Sequence, residues 1–305
     1  MKKMIALIAA MLPAAASAQE MSGMLTLGYS STDIPGLSDD LSGATLDFAG
    51  SANFANGFSL SGGVGLSNHD TDGLPGQLQM STYDLEASYA FGNHWSLGAY
   101  AEKSAMELTI INEDISMRSF GLTMGYKTDR VAVELYAGKS ETDPEMPAGL
   151  DLKDAGLRMS FAVSDRTNMT LRAGLSRLSG AGIPDVDLTA IGLSATHMLN
   201  DRWMVFGGLD MASLDVMGDS LDATSVGLGA GYRFDISGRP VLLTMELART
   251  SLSVDGLFDE DLDTIRVGLS LPLGAAGTKA PLNSLASSVA EGRHSTLTST
   301  LLGVF

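Results

Sequence analysis

The chain is poor in several things at once. Among 305 residues it has no cysteine, four histidines, 6% aromatic residues and only 18% charged residues. Without cysteine there is no disulfide framework, and no thiolate to serve as nucleophile or metal ligand. Four histidines leave little material for a multi-histidine metal site, and no cofactor or metal is implied. Bases are scarce too: 19 Lys and Arg face 36 Asp and Glu, for a net charge of −17. That balance argues against a nucleic-acid binder, which needs cations to replace phosphate counterions. What the chain does have is 35 glycines and 45% hydrophobic residues, with a mean hydropathy of +0.15. Global disorder is therefore excluded, and many strands joined by tight turns are expected.

Residues 1–18 have the layout of a secretory signal peptide. Lys2 and Lys3 form the basic start, Met4 to Ala15 the apolar stretch, and Ala16-Ser17-Ala18 a cleavage site. The stretch is short for a membrane anchor and Pro13 interrupts it. The mature chain is expected to begin at Gln19. Loss of Lys2 and Lys3 leaves 17 bases against 36 acids, net −19. No later stretch approaches the roughly 20 apolar residues of a transmembrane helix.

From residue 23 onward the hydrophobic period is two. Leu46, Phe48, Ala52 and Phe54 alternate with Thr45, Asp47, Ser51 and Asn53; Val226, Leu228, Ala230, Tyr232 and Phe234 alternate with Ser225, Gly227, Gly229, Gly231 and Arg233. Such alternation marks strands with one apolar face. Very short turns near Asn56-Gly57, Gly92-Asn93, Thr128-Asp129, Asp165-Arg166, Asn200-Asp201 and Ser237-Gly238 alternate with longer connections. They predict about fourteen strands, many of 10–14 residues, ending near Leu273; sixteen is the alternative. A tilted strand needs roughly 9–11 residues to cross a bilayer. Even strand number with short turns at one end and longer loops at the other is the pattern of a closed antiparallel transmembrane β-barrel. A soluble sandwich also alternates, but without so regular a succession of short and long connections. The expected organisation is a signal peptide at 1–18, an all-β barrel at 19–273 and a C-terminal tail at 274–305.

Hairpins such as EASYAFGNHWSLGAYAEK and GLGAGYRFDISGRPVLLTMELA resemble Gram-negative outer-membrane porins over about residues 23–273. Fourteen strands resemble the monomeric OmpG-type pores more than the sixteen-stranded trimers. The resemblance implies a location in the outer membrane of a Gram-negative bacterium, and assembly by the barrel-assembly machinery. Outer-membrane lipids, lipopolysaccharide and small hydrophilic solutes are its implied partners. The general porins fold a long third loop into the lumen; the corresponding stretch here, about 104–114, is short for that task.

The polar strand faces place Asp47, Asp84, Glu86, Glu102, Glu134, Asp210 and Glu246 on the lumen, with Arg158, Arg172, Arg233 and Arg266 among them. The long connections carry 22 acids, with only Lys139 and Lys153 as bases. Such a rim concentrates cations and repels anions. Its densest stretch, Asp259-Glu260-Asp261-x-Asp263, is a candidate for bridging divalent cations to lipopolysaccharide phosphates, but lacks the glycine and spacing of a calcium loop. The function expected is passive diffusion of ions and small hydrophilic solutes, with a preference for cations; the alternative is a plugged structural or adhesive barrel. An enzyme is not expected. His69-Asp70-x-Asp72 reads as turn chemistry in an acidic loop, and no G-x-S-x-G, H-E-x-x-H or P-loop pattern occurs. In the tail, Leu282, Leu285, Ala286 and Val289 have helical spacing. A periplasmic or lumen-entering tail is expected, with a final extra strand ending at Phe305 as the alternative.

Overall fold

A computed structural model describes residues 20–36, 40–71, 77–92, 94–108, 113–147, 149–180, 182–216, 219–254, 258–274 and 279–304. Residues 1–19, which include the expected signal peptide, and Phe305 lie outside the described residues. Fourteen strands run in chain order: β1 (Glu20–Asp33), β2 (Leu41–Asn53), β3 (Phe58–Thr71), β4 (Gln77–Ala90), β5 (Trp95–Leu108), β6 (Glu113–Lys127), β7 (Val131–Asp143), β8 (Leu150–Ser164), β9 (Thr167–Gly180), β10 (Ile183–Met198), β11 (Trp203–Val216), β12 (Asp219–Ile236), β13 (Arg239–Val254) and β14 (Phe258–Gly274). Each pairs antiparallel with its neighbours in sequence. β1 also pairs with β14, from Ser22 opposite Gly274 to Asp33 opposite Asp263, so the sheet closes into a barrel without edges.

The barrel is inside-out relative to a soluble protein. Leu228, Leu122, Ile191, Leu247 and Val226 are among the large apolar side chains left exposed on its outer surface. Thr26, Ser270, Arg172 and Glu246 are buried inside it. Hydroxyls pair across the inner wall, Thr26 with Ser270 at 2.8 Å, Thr32 with Thr264 at 3.0 Å and Ser225 with Thr250 at 2.8 Å. A continuous apolar belt outside and a polar interior are what a barrel needs when lipid rather than water surrounds it. The strand period of two produces both faces from one sequence pattern.

The tight turns gather at one rim. Ser237 and Gly238 both have positive φ, 51° and 77°, and Ile236 pairs with Arg239 around them. Two successive positive φ values give the turn whose twist matches that of the flanking strands. At the other rim the strands run several residues beyond the spans read from the sequence. β10 starts at Ile183 and β14 at Phe258, before clear alternation begins. Asp187, Asp259, Glu260, Asp261 and Asp263 thus lie on paired strand rather than in loops, and Asp185 sits at a bulge of β10. Above the apolar belt no lipid enforces alternation, so the pattern fades while the backbone ladder continues.

After Gly274 the chain turns inward. Helix α1 (Leu285–Ala290) and helix α2 (Thr296–Val304) follow, and α1 packs against β9, β10, β11 and β12 from inside the barrel. Ser284 caps α1, its hydroxyl accepting the Ser287 N–H at 3.1 Å. Leu285, Ala286 and Val289 are fully buried against the wall. The sequence alternative of a fifteenth strand is overturned, since residues 296–304 are helical.

The outer belt is tested by Leu228, which sits mid-strand and is 71% exposed. Leu228→Arg should cost about 2–4 kcal/mol of folding free energy in lipid vesicles, as charge at the bilayer midplane does. Urea titration followed by tryptophan fluorescence measures it, with Leu228→Ala as the comparison. Equal stability of the two variants would remove Leu228 from the lipid-facing surface.

Candidate functional site

The eleven residues singled out for the lumen face sit on ten strands of the wall. The structure gathers most of them into pairs and then ties the pairs to the tail. Arg172 and Asp210, on β9 and β11, meet at 2.8 Å and are both buried. Glu246 and Arg266, directly opposite on β13 and β14, meet at 3.1 Å. Glu134 and Arg158, opposite on β7 and β8, lie 3.4 Å apart. Charges taken from water are tolerable only when paired and hydrogen-bonded, and these pairs meet that requirement.

The tail supplies the remaining partners. Glu246 accepts the backbone N–H of Leu285, with its oxygens at 3.2 and 3.1 Å. Glu102 accepts the backbone N–H of His294 at 2.9 Å and meets its Nδ1 at 2.7 Å. Asp84 pairs with Arg293, which also donates to the Thr82 hydroxyl at 2.9 Å. Arg158 donates to the Gly292 carbonyl, and Arg172 to the Ser299 hydroxyl. Carboxylates that a wall alone would leave exposed in the lumen thus hold the tail by its backbone and by Arg293 and His294. Asp47, Glu86 and Arg233 stand apart: among the described residues none of the three is in an ion pair. Glu86 accepts the Thr123 hydroxyl at 3.0 Å.

Small residues make the room that the tail uses. Gly192, Gly208 and Gly227 on β10, β11 and β12 form a shallow groove, where side chains would run into Val289 and Leu285. Gly156 and Gly138 let Tyr136 and Tyr100 lie flat against the wall. Tyr100 stacks on the His294 ring at 4.0 Å between centroids, and Tyr136 meets it edge-on at 4.9 Å. Several lumen glycines are therefore space for protein rather than water. Gly174 faces Thr296, and Gly268 faces Asn283.

The lumen is narrowed but not filled. A cavity of about 780 Å³ remains between the tail and the wall, lined mostly by β2 to β5 and also by residues of β1, β6, β8 to β10 and β14. Asp47, Asp84, Glu86 and Glu102 border it, as do Lys279, Arg293 and His294. Oxygens of Glu86 and Glu134 and a nitrogen of His294 also converge, all within 4.8 Å of one another.

Several residues were missed by sequence reasoning. Asp154 is buried on β8, bonded by the Ser140 and Ser176 hydroxyls; its register with Arg158 four residues on would have placed it inside. Arg293 and His294 carried one signal only, cationic groups in a tail beside an acid-rich lumen. His69 is corrected: it sits on strand β3, buried, with Nε2 3.2 Å from the Ser30 hydroxyl. Asp70 is exposed on the opposite face, because neighbours on a strand point apart. His69 and Asp70 form no dyad, and Asp72 lies outside the described residues. The acidic rim is also corrected. Arg249 grips Asp263 through two 2.7 Å bonds and reaches Asp261 at 3.5 Å. Arg177 grips Asp187 at 2.7 and 2.6 Å. The stretch 259–263 is thus partly neutralised by a base of the neighbouring strand.

Residues 50–216 match the family model described as Gram-negative porin. No curated protein matches the chain in sequence. Among solved structures, an anion-selective porin from Comamonas acidovorans superposes with a TM-score of 0.51 at 9% identity, covering 83% of this chain and 98% of that one. A loop-deletion mutant of OmpT, an outer membrane protein of Vibrio cholerae, gives 0.50 at 13% identity over 83% and 99%. The CymD monoaromatic hydrocarbon channel gives 0.50 at 12% over 87% and 91%. At these identities the likeness is one of fold.

The buried pair of β9 and β11 carries a prediction. Arg172→Met leaves Asp210 charged and unpaired, which should cost about 3–5 kcal/mol in denaturant unfolding. Arg172→Met with Asp210→Asn removes both charges and should recover most of that loss. An additive double mutant would show that the two groups are not coupled.

Proposed function

The chain belongs to the family of Gram-negative porins, barrels of the outer membrane, and we propose that it is a narrow diffusion channel for ions and small hydrophilic solutes. Its own C-terminal tail forms the constriction. The observation that carries this reading is the cavity of about 780 Å³ left between the tail and the barrel wall. The third long connection, between Leu108 and Glu113, is too short to fold inward as a constriction. Residues 279–304 fill that place instead.

A preference for cations follows from what stays unpaired. Arg172, Arg266, Arg158 and Arg293 each have a carboxylate partner. Among the described residues Asp47 and Glu86 border the remaining passage without an ion pair, against one such base, Lys127, while the unpaired Arg233 does not line it. A carboxylate in a passage with low-dielectric walls attracts cations more strongly than one on an open surface. The acidic long-loop rim, taken to face outward, adds to that field, reduced by Arg177 and Arg249.

The outer surface supports contact with phosphorylated lipid. Lys103 pairs across strands with Arg118, Lys139 with Lys153, and Lys153 with Arg177. All five alternate with lumen-facing neighbours and so point outward on β5 to β9. Lys139 already meets Glu141 at 3.3 Å and Arg177 meets Asp187 at 2.6 Å. Lys103, Arg118 and Lys153 are left facing like charges, which repel across strands, and an anionic headgroup relieves that repulsion. These bases, rather than the acids of 259–263, are the surface suited to lipopolysaccharide phosphate.

The tail reading gives two expectations in planar bilayers, recorded in the presence of a chelator. Deleting residues 279–305 should raise single-channel conductance severalfold. Asp47→Asn should lower the cation-to-anion permeability ratio, most clearly below roughly 0.1 M salt, where the Debye length exceeds about 10 Å. Absence of any conductance from the wild type, with conductance from the deletion, would favour the plugged barrel. Silence from both would remove the channel.

A further inference from the structure

We propose that Glu86, Glu134 and His294 form a binding site for a zinc-class divalent cation that fastens the tail to the barrel wall. The inference rests on the tail lying in the lumen, and is independent of conductance. The three donors come from three separate parts of the fold: β4, β7 and the tail. Their ligand atoms lie within 4.8 Å of one another.

The imidazole is prepared as a ligand. Its Nδ1 meets the Glu102 carboxylate at 2.7 Å, so the Nδ1–H is committed to that bond. The lone pair of the neutral ring then sits on Nε2. That atom is buried and makes no hydrogen bond, yet it lies 3.3 Å from Oε1 of Glu134. Two lone-pair atoms at that separation repel unless something positive lies between them. Zinc held at about 2.0–2.2 Å from nitrogen and oxygen donors in a tetrahedral site sets them roughly 3.3–3.6 Å apart. A carboxylate on the far nitrogen of a ligating histidine is the usual support of such a site. Glu102 provides it, while Tyr100 and Tyr136 fix the plane of the ring.

Charge points the same way. Glu86, Glu102 and Glu134 bring three negative charges to the ring. Arg158, 3.4 Å from Glu134, brings one positive charge and spends its other nitrogen on the Gly292 carbonyl. With a neutral imidazole the cluster carries two uncompensated negative charges, which a divalent cation balances. Glu86 and His294 both border the cavity, so an ion has a path in and a water can fill the fourth position. A proton on Nε2 would satisfy the same geometry with half the compensation, and metal binding would displace it.

The test uses the full-length protein folded in detergent, stripped with a chelator and titrated with Zn²⁺ against a chromophoric competitor. One tight equivalent is expected. Glu86→Gln, a wall substitution that leaves the tail's own bonds intact, should weaken it at least tenfold. Glu102→Gln should weaken it about 10- to 100-fold through the ring it supports. Mg²⁺ should not compete, because it demands octahedral oxygen coordination. Circular dichroism and heat-dependent gel mobility verify the fold of each variant. No tight equivalent in the wild type, or undiminished affinity in Glu86→Gln, would overturn the site and leave a protonated histidine bridge.

Discussion

Closure of the sheet is the constraint on which everything else depends. In a bilayer no water is available to bond free N–H and C=O groups, so a spanning sheet must have no edge. The pairing of β1 with β14 meets that demand, and it sets the rest. A closed ring of fourteen strands has one surface against lipid and one around a lumen. Every strand must therefore alternate, apolar outward and polar inward. The exposed leucines outside and the buried hydroxyl pairs inside are two sides of that single requirement.

Closure also creates a problem of charge. The inner wall carries carboxylates and guanidinium groups in a space where low-dielectric walls make unpaired charge expensive. Cross-strand pairs such as Glu246–Arg266 relieve part of it. The tail relieves much of the rest, presenting backbone N–H groups to Glu102 and Glu246 and Arg293 to Asp84. Its apolar side chains fill the glycine groove of β10–β12. Burial of Leu285 and Val289 contributes about 1.5–3 kcal/mol each. The same segment that compensates the wall narrows the lumen, so compensation of the wall and the proposed constriction have one origin.

The fold was legible in the sequence wherever lipid acts on it. The period of two located all fourteen strands, and the short turns were sharp because Asn-Gly and Ser-Gly steps carry positive φ. The long-loop ends were not legible, because above the lipid nothing enforces alternation. Thus Asp187 and Asp261 read as loop while pairing as strand. The inward face of Glu102 or Arg172 followed from parity alone, but what each one meets did not. Helical spacing at Leu285, Ala286 and Val289 announced a helix without saying where it packs. That depended on small residues at 192, 208 and 227, far apart in sequence and adjacent only after the barrel closes. His69 was misplaced for the same reason as the acids: its strand continues beyond the visible pattern.

The central claim is that the tail lies against the inner wall, and the lack of native cysteine makes it directly measurable. A Cβ at Gly227 would stand 3.2 Å from the Cβ of Leu285, close to the distance a disulfide spans. With Gly227→Cys and Leu285→Cys in the full-length protein, mild oxidation of the folded barrel should form the bridge. Both thiols should then resist maleimide until a reductant is added. Thiols that stay free and reactive after oxidation, in a barrel folded by circular dichroism, would place the tail outside the lumen and contradict the account.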